Sequence, residues 1–503
     1  MLCLFRRDSS EDEDEYVLLA HDDSSGRPRQ RPRKRQAPRC LRRQHTQIAL
    51  TAMSLFTMAV CSWLWLFFHG RIGIPSPILH ALAKESRLPP LYSRFHEYER
   101  HLPQHSLSHS PENQEVRYIW MANYMRANGW GNVMEELLLN SFLAYRAGRS
   151  FVFTNFTWNE GVSDYSLYNL KPIPSRIPLT ALIRGPTVGG EFPAGDNAPL
   201  AVMKDFWDQV CPGPKVIRDD DILSSFGDQV PTAETKIGKW LEVLNRTDDR
   251  CVEIPRESWV IFDIWIMQDA KRLLDVWPSF SQSPILTTFA WSALVELAFD
   301  TNREVFSPSM VLDPFLSSVP VTVPSAERYS PIPGLLAVHI RRGDFVRHCK
   351  RLTGWGASFV GFNSFPSMLD QLNLPPDTIA ESRAEFYRLR CYPEIDEIVA
   401  KVEEVRRTEA GKGLENVYIM TNAPTEWIFD LKASLRRAGQ WSNIASSRDL
   451  ILNQEQEYVK QAVDMLIGQR AQVFVGNGFS TMTGQVTMLR MANRFPPETS
   501  RLW

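Results

Sequence analysis

Leu335-Leu336-Ala337-Val338-His339-Ile340 is an apolar run broken once by a histidine, and Arg341-Arg342-Gly343-Asp344-Phe345 follows it without a gap. A short continuous apolar run that stops at charge and glycine reads as a strand buried on both faces, the kind found in parallel sheets covered by helices. The pattern recurs downstream, where Val417-Tyr418-Ile419-Met420 enters Thr421-Asn422-Ala423 and Val473-Phe474-Val475 enters Gly476-Asn477-Gly478-Phe479-Ser480-Thr481. Upstream, Tyr118-Ile119-Trp120 and Ser150-Phe151-Val152-Phe153 flank a helix expected from about 132 to 146, with Met134, Leu137, Leu138 and Tyr145 on one face. Strands alternating with amphipathic helices predict an α/β fold with mainly parallel sheets, whose ligands bind beyond the carboxyl ends of the strands. A Pro-rich, weakly periodic stretch at 307–333 separates two lobes.

The chain has 503 residues, enough for two lobes with real cores, and its 56 basic and 58 acidic residues leave a net charge of −2. That balance argues against a nucleic-acid-binding body, which needs a basic surplus to neutralise phosphate. The asymmetry is local. Residues 48–68 form an uncharged apolar run of about 20 residues, long enough to span a bilayer as a helix. The stretch before it carries Arg27, Arg29, Arg31, Arg33, Lys34, Arg35, Arg39, Arg42 and Arg43, which predicts a cytosolic N-terminus and a body on the other side. A nuclear-localisation reading of those arginines yields to the topological one because a span adjoins them. The organisation expected is a disordered basic tail at 1–47, a transmembrane helix at 48–68, a stem at 69–112, an N-terminal lobe at 113–325 and a C-terminal lobe at 326–503.

The stem's His96, His101, His105 and His109 lack the spacing of metal ligands, so a spacer is expected there. Cys211, Cys251, Cys349 and Cys391 lie past the span without CxxC spacing, which suggests disulfides of an oxidising compartment. Three pairings are open, and nearest-neighbour pairing is the one that keeps each bridge within one lobe. Asn155-Phe156-Thr157 and Asn245-Arg246-Thr247 are glycosylation acceptors that such a compartment could use.

Three constellations could carry chemistry. Gly129-Trp130-Gly131-Asn132-Val133-Met134-Glu135-Glu136 is a glycine turn opening a helix, a cradle for an anion, or else a turn capped by Asn132 with two glutamates on the helix dipole. His339-Ile340-Arg341-Arg342-Gly343-Asp344-Phe345 puts two guanidiniums at a strand end, which suits a diphosphate; an Arg–Asp loop staple and an adhesion tripeptide are its plainer readings. Asp464 precedes the Gly476–Thr481 turn, where Ser480 and Thr481 open another helix; an exposed helix carboxylate is the plain reading of Asp464. Asp219-Asp220-Asp221 could instead hold Mn²⁺ or Mg²⁺ against a nucleotide diphosphate.

In this order, the stretches GWGNVMEELLLNSFLAYRAGRSFVF, HIRRGDF and VDMLIGQRAQVFVGNGFST resemble the GDP-fucose fucosyltransferase superfamily, closest in layout to the protein O-fucosyltransferases and more distantly to the α1,6-fucosyltransferases. The likeness runs over roughly residues 116 to 490, with Thr421-Asn422 standing where the family has an acidic pair. It implies a GT-B-like enzyme of two Rossmann-type lobes with a cleft between them, the donor GDP-fucose on the C-terminal lobe, and a protein or glycan acceptor in the cleft. By the same resemblance Arg341 binds the donor's β-phosphate and assists its departure, with Arg342 beside it. His339 and Asp464 contact guanine, Ser480 and Thr481 hold phosphate, and Gly131 and Asn132 meet the phosphate or sugar from the other lobe. The expected reaction is inverting transfer of fucose to a hydroxyl without a metal or other cofactor, with Glu135 or Glu136 as candidate base. The expected location is the lumen of Golgi or endoplasmic reticulum, as a type II membrane protein. The competing expectations are a lumenal GDP-sugar- or glycan-binding protein without turnover, and a metal-dependent transferase using Asp219 to Asp221.

Overall fold

The computed structural model describes residues 88–106, 116–374 and 379–503. The basic tail and the expected transmembrane run at 48–68 lie outside the described residues, and among those described no helix is long and apolar enough to cross a membrane. Residues 157–176 group into a unit of their own, with an antiparallel ladder of Tyr165–Tyr168 on Lys171–Pro174 and Trp158 edge-on to Tyr168.

Ahead of the first sheet the chain forms helix α1, Ser93–Arg100. The N-terminal sheet holds strand β1 (Tyr118–Met121), helix α2 (Trp130–Arg146), β2 (Ser150–Phe153), β3 (Val202–Met203), β4 (Lys215–Val216), α3 (Asp219–Ser224), α4 (Ala233–Asn245) and β5 (Cys251–Ile254). All five strands are parallel, in the order β3-β2-β1-β5-β4. Alternate residues face opposite sides of a strand, so Ile119, Met121, Phe151 and Phe153 join the core under α2 while Tyr118, Trp120 and Val152 join a smaller cluster with Phe206 and Trp207.

The second sheet begins with β6 (Ile332–Ile340), followed by α5 (Phe345–Trp355), α6 (Ala380–Cys391), α7 (Ile395–Arg406), β7 (Asn416–Thr421), α8 (Thr425–Ala438), β8 (Asn443–Ser446), α9 (Lys460–Arg470), β9 (Ala471–Gly476), α10 (Thr481–Ala492) and β10 (Ser500–Leu502). Its order is β8-β7-β6-β9-β10, again all parallel. Both faces are covered, as the continuous apolar runs require: Leu336, Val338, Val417 and Ile419 pack with Val402 and Leu431 of α7 and α8, while Ala337, Tyr418 and Phe474 lie with the α9 and α10 side. The α/β fold with two Rossmann-like parallel sheets is as the sequence patterns led one to expect. In the second sheet the strand order reverses between β6 and β9, the place where such sheets bind ligands.

Three expectations change. Helix α2 is buried on nearly every side rather than on one face, because α10 covers what would have been its solvent face. The 307–333 boundary stretch is tied into the body: Arg328 and the Tyr329 hydroxyl donate to Glu296, and Arg328 also donates to the carbonyls of Val319 and Pro320 at 2.9 Å each. Residues 92–105, within the expected stem, are packed against the body. Tyr92 and Leu102 are buried, Glu99 Oε1 accepts the Thr180 amide and hydroxyl at 2.9 Å each, and the Tyr92 hydroxyl donates to Glu455 O at 2.7 Å. His105 stacks on Phe206 and accepts the Met203 amide at 3.1 Å, a packing role in place of a spacer's. Each of the two buried side chains is worth about 1.5–3 kcal/mol. A chain begun at residue 113 is therefore expected to melt several degrees below one begun at 88, as a thermal scan of the two would read.

The disulfides are Cys211–Cys251 and Cys349–Cys391, the nearest-neighbour pairing. Arg149, at the entry to β2, is fully buried and donates to the carbonyls of Asp249 and Thr247 at 3.0 and 2.9 Å, stapling the end of α4 to the start of β5.

Candidate functional site

Strand β6 delivers His339 and Arg341 to the switch point of the C-terminal sheet, and β9 delivers Gly476 and Asn477 beside them. A Cβ on Gly476 would lie 2.3 Å from Thr483 Cγ2, and one on Gly478 would run into the Phe359 ring, so both glycines are demanded by close packing. This tight turn brings Asn477 N–H within 3.1 Å of Thr483 Oγ1 in the first turn of α10, and Thr483 Oγ1 within 2.7 Å of His339 Nδ1. The Thr483 hydroxyl thus bridges the β9 turn and the strand that carries His339. Burial, and next the Arg341 charge, hold the His339 pKa down to about 3, so the ring is neutral at physiological pH.

The N-terminus of α10 has no side-chain cap, and neither has that of α2. The two ends meet: a Cβ on Gly131 would lie 2.8 Å from Met482 N and 2.9 Å from Thr481 Oγ1. Two helix N-termini converging from different lobes make a field that favours an anion. Ser480 is buried, its carbonyl held by Asn363 Nδ2 at 3.2 Å. Asn132, also buried, donates to Asn128 Oδ1 at 3.5 Å.

Arg341 pairs with Asp344 at 3.0 Å, the loop staple of the plainer reading. Both side chains are part exposed, so the pair is worth no more than about 1 kcal/mol and yields readily to a dianion. Arg341 Nε is buried with no hydrogen-bond partner. Arg342 is different. Its guanidinium carbon lies 4.2 Å from the rings of Tyr392 and Trp427, and it donates to the Pro393 carbonyl. It is spent on holding the loop, which departs from the donor contact the sequence suggested. Asn422 completes the loop: its Oδ1 accepts the Arg342 amide at 2.8 Å and its Nδ2 donates to Arg342 O and Asp344 Oδ1. A carboxylate there would lack those two donated bonds, which gives Thr421-Asn422 a physical role.

Asp464 is not an exposed helix carboxylate. It is buried, accepting the Tyr418 hydroxyl at 2.5 Å and the Ser447 hydroxyl at 2.9 Å, and burial raises its pKa to about 6 against those hydrogen bonds. The two glutamates of α2 are likewise interior. Glu135 Oε2 accepts from Gln485 Nε2 of α10 at 2.7 Å, and burial pushes its pKa well up. Glu136 Oε2 accepts the Met125 amide at 2.7 Å, and burial carries its pKa to about 8. Glu136 is therefore largely protonated at neutral pH, and both carboxyls are committed to packing contacts, Glu135 with Gln485 and Glu136 with the Met125 amide, so neither is free to reach an acceptor.

These shifts fix a pH dependence. For Glu99, Glu136 and Asp464, at about 7, 8 and 6, the folded pKa exceeds the unfolded one. Their stabilisation is full below the unfolded value and is lost as pH rises through the folded one; His339, depressed, acts oppositely below about 6.5. The melting temperature is expected to fall by several degrees between pH 6 and 8.5, and Glu136→Gln to flatten that decline.

The Asp219 to Asp221 triplet does not converge on one point. Asp219 is fully buried against Lys236 Nζ at 2.7 Å and Trp240 Nε1 at 2.8 Å, while Asp220 accepts from Ser258 Oγ and the Trp259 amide. Among the described residues no group of three or more His, Cys, Asp or Glu is placed to hold a metal ion.

Sequence reasoning missed Thr483, Asn363 and Gln485. Thr483 and Gln485 were signalled only by following the Gly476–Thr481 turn and Asn363 by nothing local, since the partners of Asn363 and Gln485 lie more than a hundred residues away in sequence.

Residues 326–493 match the family model of GDP-fucose protein O-fucosyltransferase. No curated protein sequence matches the chain. Among solved structures the chain is similar to POFUT1 in complex with GDP-fucose, at 15% identity over 76% of this chain and 97% of that one, with a TM-score of 0.44. It is also similar to NodZ α-1,6-fucosyltransferase soaked with GDP-fucose, at 11% identity over 75% of this chain and 93% of that one, with a TM-score of 0.35. The His339–Asp344 loop, Asp464 and the turn into α10 all lie within the stretch that matches the GDP-fucose protein O-fucosyltransferase family model.

Proposed function

We propose that the chain transfers fucose from GDP-fucose, with inversion and without a bound metal, to a hydroxyl of a protein or glycan in the secretory pathway. The observation that carries this is the meeting of the α2 and α10 N-termini beside the Arg341 loop, at the switch point of the family-matched sheet. In this reading the diphosphate lies on the α10 N-terminus and Arg341, which turns from Asp344 to the β-phosphate and stabilises the charge that grows as GDP leaves. Guanine lies toward Asp464 and Ser447, and Gly131 lets α2 approach the donor closely.

The buried, hydrogen-bonded packing of Glu135 and Glu136 favours a second reading, a GDP-sugar-binding protein without turnover. Calorimetry with EDTA present, on a chain begun at residue 88, separates the readings. Binding of GDP and GDP-fucose over UDP, together with slow GDP release from GDP-fucose, is the expected result. Binding without release leaves the second reading, and failure of GDP to bind overturns both.

The body's place in the lumen of Golgi or endoplasmic reticulum, behind a span at 48–68, belongs to the same proposal. Asn245 is exposed at the end of α4, whereas Asn155 Oδ1 is buried in a wall of the N-terminal lobe. A chain made in mammalian cells is expected to carry one glycosidase-sensitive glycan, lost in Asn245→Gln and kept in Asn155→Gln. An unglycosylated chain would place the body elsewhere.

A further inference from the structure

Helix α6 ends at Cys391, and Cys391-Tyr392-Pro393 touches both loops of the candidate site. The Cys391 carbonyl accepts Asn477 Nδ2 at 2.6 Å, the Pro393 carbonyl accepts the Arg342 guanidinium, and the Tyr392 ring stacks on that guanidinium. One turn earlier, Tyr387 stacks on Phe479 with ring centroids 5.5 Å apart and its hydroxyl donates to Ala357 O at 2.7 Å. Arg342 belongs to the loop after β6, and Asn477 and Phe479 to the loop after β9, so one segment grips both sides of the switch point. The Asn477 side chain also accepts the Phe479 amide at 3.0 Å, which passes the grip along the turn toward Ser480. The Cys349–Cys391 disulfide anchors this segment to α5, the helix that grows out of the Arg341–Asp344 loop.

We propose that the Cys349–Cys391 disulfide is a positioning element of the donor site, fixing the spacing between the arginine loop and the N-terminus of α10. The proposal rests on the donor reading of that site. Its physical basis is that a charged ligand gripped from two loops needs both held within a fraction of an ångström. Without the bridge, the Cys391–Pro393 segment keeps its hydrogen bonds but loses its covalent anchor to α5, and each loop moves by itself.

The molecule contains its own control. Cys211–Cys251 closes a loop of nearly the same length, 40 residues of separation against 42, and lies at the start of β5 in the N-terminal lobe. Cutting either bridge therefore frees about the same entropy in the unfolded chain, and a difference at the donor loops isolates positioning from general stability. The test compares Cys349→Ser/Cys391→Ser with Cys211→Ser/Cys251→Ser in the full chain. Hydrogen exchange of the amides at 341–345 and 477–483 is read without ligand, and GDP affinity is read by calorimetry.

The first pair is expected to raise exchange at both loops, and to weaken GDP, by about tenfold each, while the second leaves both within about twofold. Equal exchange in the two pairs, or a change confined to α6, overturns the proposal. If the wild-type chain does not bind GDP the donor reading fails, and the exchange comparison still decides whether the bridge holds the loops. Should the first pair fail to fold, Asn477→Ala with both bridges intact decides: faster exchange at 477–483 is expected, and unchanged exchange overturns the proposal.

Discussion

Arg341→Ala is expected to lower GDP release from GDP-fucose by about 10³-fold, with a smaller loss in GDP affinity. The asymmetry follows from where charge appears. Free GDP already carries its phosphate charge, so in binding the arginine shares it with the α10 N-terminus; in the transition state the β-phosphate gains charge as the sugar departs, and a fixed guanidinium is worth most there. In the proposed reading the Arg341–Asp344 pair breaks on binding, and Asp344→Asn is expected to strengthen GDP binding slightly, by less than about fivefold for a part-exposed pair. Arg341→Lys keeps the charge but loses the two-pronged geometry, and is expected to recover only a part of the rate. Arg342→Ala is the contrast: with its side chain between Tyr392 and Trp427, its main effect is a lower melting temperature. Initial rates for these four variants, beside thermal scans, check the assignment. Equal rate losses for Arg341→Ala and Arg342→Ala would return the loop to a purely structural role.

The same neighbouring arginines show where sequence stops. The strand before them was legible because an apolar run closed by charge has few other readings, and both parallel sheets followed from that pattern. That Arg342 is taken up in holding the loop was not, because it depends on Tyr392 and Trp427, whose approach is set by α6 and α8. Asp464 shows the same limit: its helix has no polar stripe to mark it, since neighbours on both sides bury residues 462 to 470, and only Tyr418 and Ser447 reveal what the carboxylate serves. The convergence of Gly131 with Thr481 and Met482 joins positions about 350 apart, which no local period encodes. The resemblance placed them in one cleft; packing distances brought them to contact.

Lys236→Met is expected to destabilise the N-terminal lobe by about 3–5 kcal/mol, because it leaves Asp219 charged and unpaired in the interior. Lys236 and Asp219 are both fully buried, and burial is the largest influence on each, pushing the lysine down and the carboxylate up against their mutual attraction. Such a pair costs much to form and more to break. The double variant Asp219→Leu/Lys236→Met is therefore expected to recover most of the loss, short of the Trp240 hydrogen bond and the Lys236 bond to Ile261 O. At about 2–4 °C per kcal/mol the single variant should melt about 10 °C lower. The damage should concentrate in the strand-end loop after β5, which Asp219 and Asp220 hold through Ser258 and the Trp259 amide and which Asn123 holds through Trp259 O. GDP affinity, measured well below the melting point, is expected to stay within about twofold, since the donor loops share no partner with this pair. A triplet that held a metal would behave otherwise: Mn²⁺ would raise the wild-type melting temperature, and Asp219→Leu/Lys236→Met would abolish that rise together with GDP binding. Melts of the three proteins with and without Mn²⁺ thus decide between an ion pair that builds the lobe and a carboxylate that serves the donor.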